Sequence, residues 1–377
     1  MRHALSRSGL PVAGVERTTA EGWSFPARNP ATGEVLWDVP DAGVADVRSA
    51  TDAAWRAFHE TQWSTDSALR ADTIGRLQDA LVARSDELAL LLAAETGVPV
   101  ALRGAHLDAA IASMRRELRA EPPGVTAVIT PATSPLAVAL HEVGRVLAVG
   151  GTVVLKPAAE AASAALELGR IALDVLPRGV LNVVSTRDVD VATALVLDPS
   201  VDEVSYTGAA VNAERVQVAA ARAGKRVRVD AGGPVPVRVR DDADLAAVVA
   251  GAAAAVAANA GQGCRLPTSV LVPPHRYAEA LRAAVTAMEG VVVGDPADPD
   301  TLCGPLRSPV ARDRVARYLA LARSEGGDIA LGGRVLDRDG WWVSPTVIGG
   351  LSRQSRLVTE EVLGPVLMVV ADTSARA

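Results

Sequence analysis

The sequence predicts an α/β protein made of two α/β domains in series, each built on a mostly parallel sheet. From residue 125 onward, short β-branched runs alternate with stretches of helical length, which is the rhythm of βαβ units. Runs such as Thr152-Val153-Val154-Leu155 are apolar without alternation, as expected of a strand covered on both faces. The pattern pauses at Ala231-Gly232-Gly233-Pro234 and then restarts. That pause places a boundary near residue 232, with an N-terminal part of 1–232 and a second domain of 233–377.

The elements follow in order. Residues 1–28 read as an irregular lead-in. Residues 29–40 combine turn chemistry at Asn29-Pro30 and Thr32-Gly33 with a short strand pattern. Apolar spacings of three and four predict helices over about 44–60, 68–95 and 101–118. Leu77, Leu81, Leu88 and Leu91 mark the second of these, and Gly97 and Pro99 stop it. The alternating region then reads as strand 125–130, helix 135–148, strand 152–156, helix 160–175, strand 180–185, a short helix near 189–197, strand 201–207, helix 209–223 and strand 226–230. Beyond the boundary, strand 236–240 leads through Asp241, Asp242 and Asp244 into a helix over 243–258, the acids sitting at its positive end. A loop at 259–265, a strand at 268–273, a helix at 276–288 and further α/β structure complete the chain.

Composition narrows the function. The 377 residues carry 38 Lys and Arg against 44 Asp and Glu, a net charge of −6, which argues against a general attraction to nucleic acid or acidic membranes. Aromatic residues are only 3%, so Ala, Val and Leu must build the cores. Two cysteines, Cys264 and Cys303, cannot form a disulfide framework, and a reducing, cytoplasmic setting fits best. The N-terminal apolar run is short and broken by Pro11, a poor secretory signal. The longest apolar run, 245–258, is too short to cross a bilayer and reads as a buried helix. The chain has no GxGxxG fingerprint, HExxH, GxSxG or Walker A loop, and its five His show no metal spacing, so no metal is expected.

A few residues could carry chemistry. Cys264 follows Asn259, Gly261 and Gly263, on a backbone able to adopt unusual angles just after a helix. A nucleophilic thiol needs such a setting, with close substrate approach and backbone N–H groups near a developing oxyanion. The plain alternative is a small buried hydrophobe. Asp230 ends a strand beside Gly232-Gly233, where a carboxylate points toward the usual crevice of a parallel sheet; a cap or ion-pair role is the alternative. Lys156 ends a strand at a similar edge and could reach a ribose or phosphate, or be simply solvated. Gly208 closes a strand and opens a helix whose N-terminus could cradle a pyrophosphate. Cys303, before Gly304-Pro305, reads as part of a surface turn without a function, and Trp341 and Trp342 as packing at the domain edge.

Taken in order, a set of short motifs resembles the aldehyde dehydrogenase superfamily: NPATGEVL (29–36), ETGVP (95–99), VITPATSP (128–135), TVVLKPAAE (152–160), RGVLNVVS (178–185), VSYTGA (204–209), DAGGP (230–234), NAGQGC (259–264), GPL (304–306), GWWVSPT (340–346) and EEVLGPV (360–366). The resemblance runs from about residue 20 to the end. It implies an aldehyde-dehydrogenase-like fold, with a Rossmann-type cofactor domain followed by an α/β catalytic domain. It also implies NAD(P)-dependent oxidation of an aldehyde to an acid. A cysteine thiolate attacks the carbonyl, hydride passes to the nicotinamide, and a carboxylate-activated water hydrolyses the thioester. By motif match, Cys264 stands at the nucleophile, Asp230 at the general base, Lys156 and Glu361 at the cofactor ribose contacts, and Gly208 with Ala209 at the turn beneath the pyrophosphate.

Several positions depart from the family pattern. Thr133 stands where an Asn usually donates to the oxyanion, and loss of one such donor costs about 10²–10³ in rate. Asp230 replaces a Glu and retracts the carboxylate by one methylene. Ala209 replaces a Ser, and Ser269 a common Arg. Ala159, with Glu160 beside it, stands where NAD-preferring members carry a Glu, so the resemblance leaves NAD and NADP both open. Only RAEPPG lies between the helical pattern and the strand at 125, and the sequence stops soon after EEVLGPV. The oligomerisation segment and the C-terminal part therefore read as missing or reduced, and a homo-oligomer stays open. The expected function is oxidation of a small-molecule aldehyde at a reduced rate. The alternative is a non-catalytic homologue that binds nucleotide or serves as a partner subunit. A weaker variant keeps thiol chemistry as an esterase or acyl transferase.

Overall fold

The computed structural model describes residues 9–114 and 121–373. They fall into two compact units. The first holds the described residues of Met1–Arg28, Val35–Glu95 and Arg103–Ala231, and the second those of Asn29–Glu34, Thr96–Leu102 and Gly232–Ala377.

In the first unit, β1 (Leu10–Val12) and β2 (Val15–Arg17) form an antiparallel hairpin, and β3 (Ser24–Arg28) pairs antiparallel with β4 (Val35–Pro40). The irregular lead-in expected over 1–28 is therefore corrected for its described residues. Strands of three residues are too short to show alternation, and the tight turn rests on the positive φ angles of Ala13 (56°) and Gly14 (77°). Next come α1 (Val44–His59), α2 (Ser67–Ala83) and α3 (Ser85–Thr96). The single helix expected over 68–95 is thus two helices, broken at Arg84. The guanidinium of Arg84 reaches Glu87 at 2.7 Å and Glu167 at 2.5 Å, and apolar spacing that runs on through both helices conceals the break. The helix expected over 101–118 is also corrected. It is a 3₁₀ turn at Val100–Leu102, a π-helical turn at Gly104–Asp108 and a short α4 (Ala109–Ser113); residues 115–118 lie outside the described residues.

The βαβ rhythm then appears as β5 (Val125–Ile129), α5 (Pro135–Ala148), β6 (Thr152–Lys156), α6 (Ala162–Leu173), β7 (Leu181–Val183), α7 (Val189–Leu197), β8 (Glu203–Gly208), α8 (Ala210–Arg222) and β9 (Arg226–Ala231). The sheet order is β7-β6-β5-β8-β9, all parallel. Val153, Val154 and Leu155 are fully buried, as the unalternating run requires. The order reverses direction between β5 and β8, and the crevice beyond the carboxyl ends of such strands is where doubly wound sheets take ligands.

One buried acid in this unit sets a pH dependence. Glu95, in the last turn of α3, accepts the backbone N–H groups of Ser163 (2.9 Å) and Ala164 (3.3 Å) in the first turn of α6. Burial pushes its carboxyl up to about 7, against the pull of those bonds. A raised folded-state pKa means the contribution is complete below about pH 4.5 and lost as pH rises through about 7. Glu95→Gln is therefore expected to lose less stability than the parent between these values, by on the order of 3 kcal/mol. Urea midpoints measured across that range check this, and parallel pH profiles would overturn it.

The second unit is built on β10 (Pro236–Arg238), β11 (Ser269–Val272), β12 (Asp328–Leu331), β13 (Thr346–Gly349) and β14 (Val366–Ala371). Their order is β10-β11-β14-β13-β12, parallel except for the β12–β13 pair. Both faces of the central strand are buried. Val366, Met368 and Val370 face a core with α11 (Pro309–Ser324) and α12 (Arg356–Thr359), while Leu367 and Val369 face one with α9 (Leu245–Ala257) and α10 (Tyr277–Glu289). Early segments join this unit: Trp341 N–H donates to Pro30 O at 3.0 Å, and Val100 N–H to Pro296 O at 2.8 Å. Cys303 is not on a surface turn. It is fully buried in the first of these cores, and burial pushes its thiol up to about 12, so it stays protonated. Trp342 is buried as well, its indole N–H donating to Asp339 O at 2.8 Å and Ala31 O at 3.1 Å. No helix among the described residues is long and apolar enough to cross a membrane.

Candidate active site

The residues expected to carry chemistry fall into two sets, one in each unit. The first set gathers at the carboxyl edge of the sheet β7-β6-β5-β8-β9. Strand register aligns Lys156 with Ile129 of β5, Ile129 with Tyr206 of β8, and Tyr206 with Val229 of β9. Lys156, Gly208 and Asp230 thus lie within two residues of one row across the sheet. The ladder runs on past the strand ends, with Thr130 N–H donating to Lys156 O (3.1 Å) and Ala158 N–H to Thr130 O (3.0 Å). These bonds hold the loop that leads to Thr133, which is buried just ahead of α5.

Electrostatics differ along this edge. Lys156 is half-buried, and desolvation lowers its ammonium pKa against the opposing pull of Glu160 and Asp41. Gly208 leads into α8 through Ala209, which offers no side chain to cap the first turn, and no acid occupies that turn. The first N–H groups of α8 therefore face the edge without a competing carboxylate. A Cβ at Gly208 would approach the Tyr206 hydroxyl to 2.5 Å, so a larger residue there would have to displace that ring. Asp230 is exposed and shares a face of β9 with Arg226 and Arg228, which reach Glu203 (3.9 Å) and Glu142 (3.7 Å).

The second set is two loops packed back to back. Helix α9 ends in a turn in which Asn259, Ala260 and Gly261 all take positive φ angles of 50°, 52° and 68°. Cys264 follows, half-buried and unbridged, and Arg265 (φ 58°) closes the turn. Left-handed backbone at consecutive non-glycine residues is strained and persists only when its surroundings hold it. They do so here. Asn259 Nδ2 donates to Gln262 O (2.8 Å), and Gln262 N–H to Asn259 O (3.0 Å). A Cβ on Gly261 would drive into the carbonyl of Gly364 on the neighbouring loop. Gly261→Ala is accordingly expected to destabilise the chain by about 2 kcal/mol or more, read as a lower urea midpoint at unchanged m-value.

That neighbouring loop carries Glu361. Arg314 holds it by donating to the carbonyls of Glu361 and Val362 (3.3 Å to the latter). The Glu361 carboxylate is half-buried, its pKa raised by desolvation against the pull of Arg314 and Arg307. Gly232 lies so close that a Cβ there would stand 2.5 Å from Glu361 Oε1. Among the described residues no group of His, Cys, Asp and Glu could hold a metal ion.

Comparison with known proteins gives the family. The profile of the aldehyde dehydrogenase family matches residues 17–117 and 112–374. The chain belongs to the aldehyde dehydrogenase family. It is similar to the geranial dehydrogenase of Castellaniella defragrans, at 31% identity over 91% of this chain and 77% of that protein. It is also similar to the phenylacetaldehyde dehydrogenase of Pseudomonas fluorescens, at 32% over 90% and 74%. Its fold superposes with a TM-score of 0.92 on the crystal structure of aldehyde dehydrogenase C from Pseudomonas syringae in complex with NAD+ and octanal, at 32% identity over 97% of this chain and 80% of that one.

In this aldehyde dehydrogenase, sequence reasoning passed over Gln262, Arg307 and Arg314, which hold the two loops of the second unit. Gln262 lies inside the motif NAGQGC, where its position before Gly263-Cys264 is the available signal. Arg307 and Arg314 had none, because what they contact is distant in sequence.

Proposed function

We propose that the protein oxidises an aldehyde to a carboxylic acid with NAD or NADP, through a covalent intermediate on Cys264, at a rate below that usual in its family. The observation that carries this reading is the turn at 259–265, a strained and braced backbone presenting a half-buried, unbridged thiol. The named relatives act on geranial and phenylacetaldehyde, which supports an aldehyde as the substrate class.

The residues present fit a dinucleotide. The uncapped N-terminus of α8 beyond Gly208 and Ala209 suits a pyrophosphate. The ammonium of Lys156 and the carboxylate of Glu361 suit ribose hydroxyls. NAD or NADP, when bound, supplies the acceptor for the electron pair that leaves the aldehyde carbon. Cys264 forms the C–S bond to the carbonyl carbon and retains it until hydrolysis. Thr133 occupies the place of the oxyanion donor. Asp230 takes the proton from the water that cleaves the thioester, and the acid leaves as Sγ is freed. The short reach of the Thr hydroxyl and the retracted Asp carboxylate are the grounds for the reduced rate. Two cysteines without a bridge support a reducing, cytoplasmic location.

The test is to follow absorbance of reduced cofactor with NAD or NADP and a panel of aldehydes, beside Cys264→Ala. Turnover abolished in that variant supports the reading. No turnover above it, with the dinucleotide raising thermal stability, would replace the reading with a nucleotide-binding homologue. An acyl group trapped on Cys264 without reduced cofactor would replace it with acyl transfer.

A further inference from the structure

We propose that Gln262 is the positioning residue of the cysteine turn, and that it sets the reactivity of the Cys264 thiol by locking the turn onto the segment Pro305–Arg307. The inference rests on Cys264 being the reactive group, and it adds the device that makes it so.

Gln262 is buried at 2% exposure, and its amide uses both ends. Its Nε2 donates to Asn259 O (3.3 Å), within the left-handed turn, and to Pro305 O (3.2 Å). Its Oε1 accepts from the backbone N–H of Arg307 (2.9 Å) and from that residue's Nη1 (3.3 Å). A buried amide satisfied at both ends is held in one rotamer, and the backbone beside it is held with it. Cys264 is two residues along the same turn, so the direction of its Sγ depends on this anchor.

The anchor also reaches Glu361. Arg307 bonds to Gln262 Oε1, and its charge, with that of Arg314, opposes the desolvation that raises the Glu361 pKa. Gly261 and Gly364 are in contact so close that no side chain fits between them. The turn of Cys264 and the loop of Glu361 are therefore packed directly against each other. Cys303, the other thiol, is buried in the core and does not compete for reagents.

The experiment uses the full chain and measures alkylation of Cys264 by iodoacetamide against pH, assigned by mass spectrometry, without aldehyde or dinucleotide. Gln262→Met keeps length and bulk but removes every bond of the amide. It is expected to slow alkylation about 10-fold or more and to shift its pH midpoint, while far-UV circular dichroism is retained. In the turnover assay the same variant should lose on the order of 10²-fold in kcat, with little change in KM for the dinucleotide. Arg307→Lys leaves the backbone N–H bond to Oε1 in place and is expected to change alkylation less than about 3-fold. Should Gln262→Met not fold, Gln262→Glu takes its part. It keeps the acceptor for Arg307, loses both donations and is expected to shift the midpoint upward. A folded Gln262 variant with the parent rate and midpoint overturns the proposal. Because alkylation needs no turnover, a parent chain that fails to oxidise aldehydes still tests the anchor, and an unaffected Gln262 variant leaves the oxidation reading standing.

Discussion

Cys264→Ala is expected to lower the rate of aldehyde-dependent NAD(P)H formation by on the order of 10⁴-fold or more, since removing a covalent nucleophile forfeits the pathway rather than one contact within it. The loss should fall on kcat. Affinity for the dinucleotide should survive, because the proposed contacts at Lys156, Gly208 and Glu361 are untouched, and a thermal shift with NAD or NADP should match the parent. Stability should change little, because the thiol is only half-buried and Asn259, Gln262 and the contact of Gly261 with Gly364 hold the turn. The measurement is initial rate against cofactor absorbance with parent and variant at matched concentration. Equal rates would remove Cys264 from the chemistry and leave family descent alone.

The second large effect is a gain. Thr133→Asn should raise kcat by about 10²-fold, up to 10³, because it places a longer donor at the proposed oxyanion position. Asp230→Glu adds one methylene of reach to the proposed base and should add about 10-fold or more, given the steep dependence of rate on placement. An oxyanion forms in thioester hydrolysis as well as in thiol attack, so both changes can act on the hydrolysis step and the double variant should exceed either alone. Thr133 is buried, which makes the asparagine a tighter fit, whereas Asp230 is exposed and tolerates the longer side chain. If kcat stays at the parent value in a folded Thr133→Asn variant, the oxyanion position has been misassigned.

Much of this protein was legible from local sequence. The strands TVVLK and VTAVIT and the helices between them announced themselves because a buried parallel strand must be apolar throughout and its crossover helix must be amphipathic. Lys156 and Gly208 could be placed at the sheet edge for the same reason, since each stands where such a run ends. The turn around Cys264 was visible in its glycines. The hairpin β1–β2 was not, because it is too short to show a period. The break at Arg84 was not, because Leu77, Leu81, Leu88 and Leu91 keep helical spacing across it. Cys303 was misplaced on the surface, because Gly304-Pro305 has the composition of an exposed turn and gives no sign that it packs against Gly97.

By itself the sequence determined the α/β class, the two mostly parallel sheets, the residues at the carboxyl edge of the first and the thiol turn, all of which follow from propensity and periodicity within a few residues. Only the tertiary structure decided how that turn is held. Gln262 meets Pro305 and Arg307, Gly261 meets Gly364, and Glu95 is buried against the first turn of α6. Hydrogen bonds, close packing and desolvation act over a few ångströms of space regardless of chain separation, so partners that are far apart in sequence leave no mark on it.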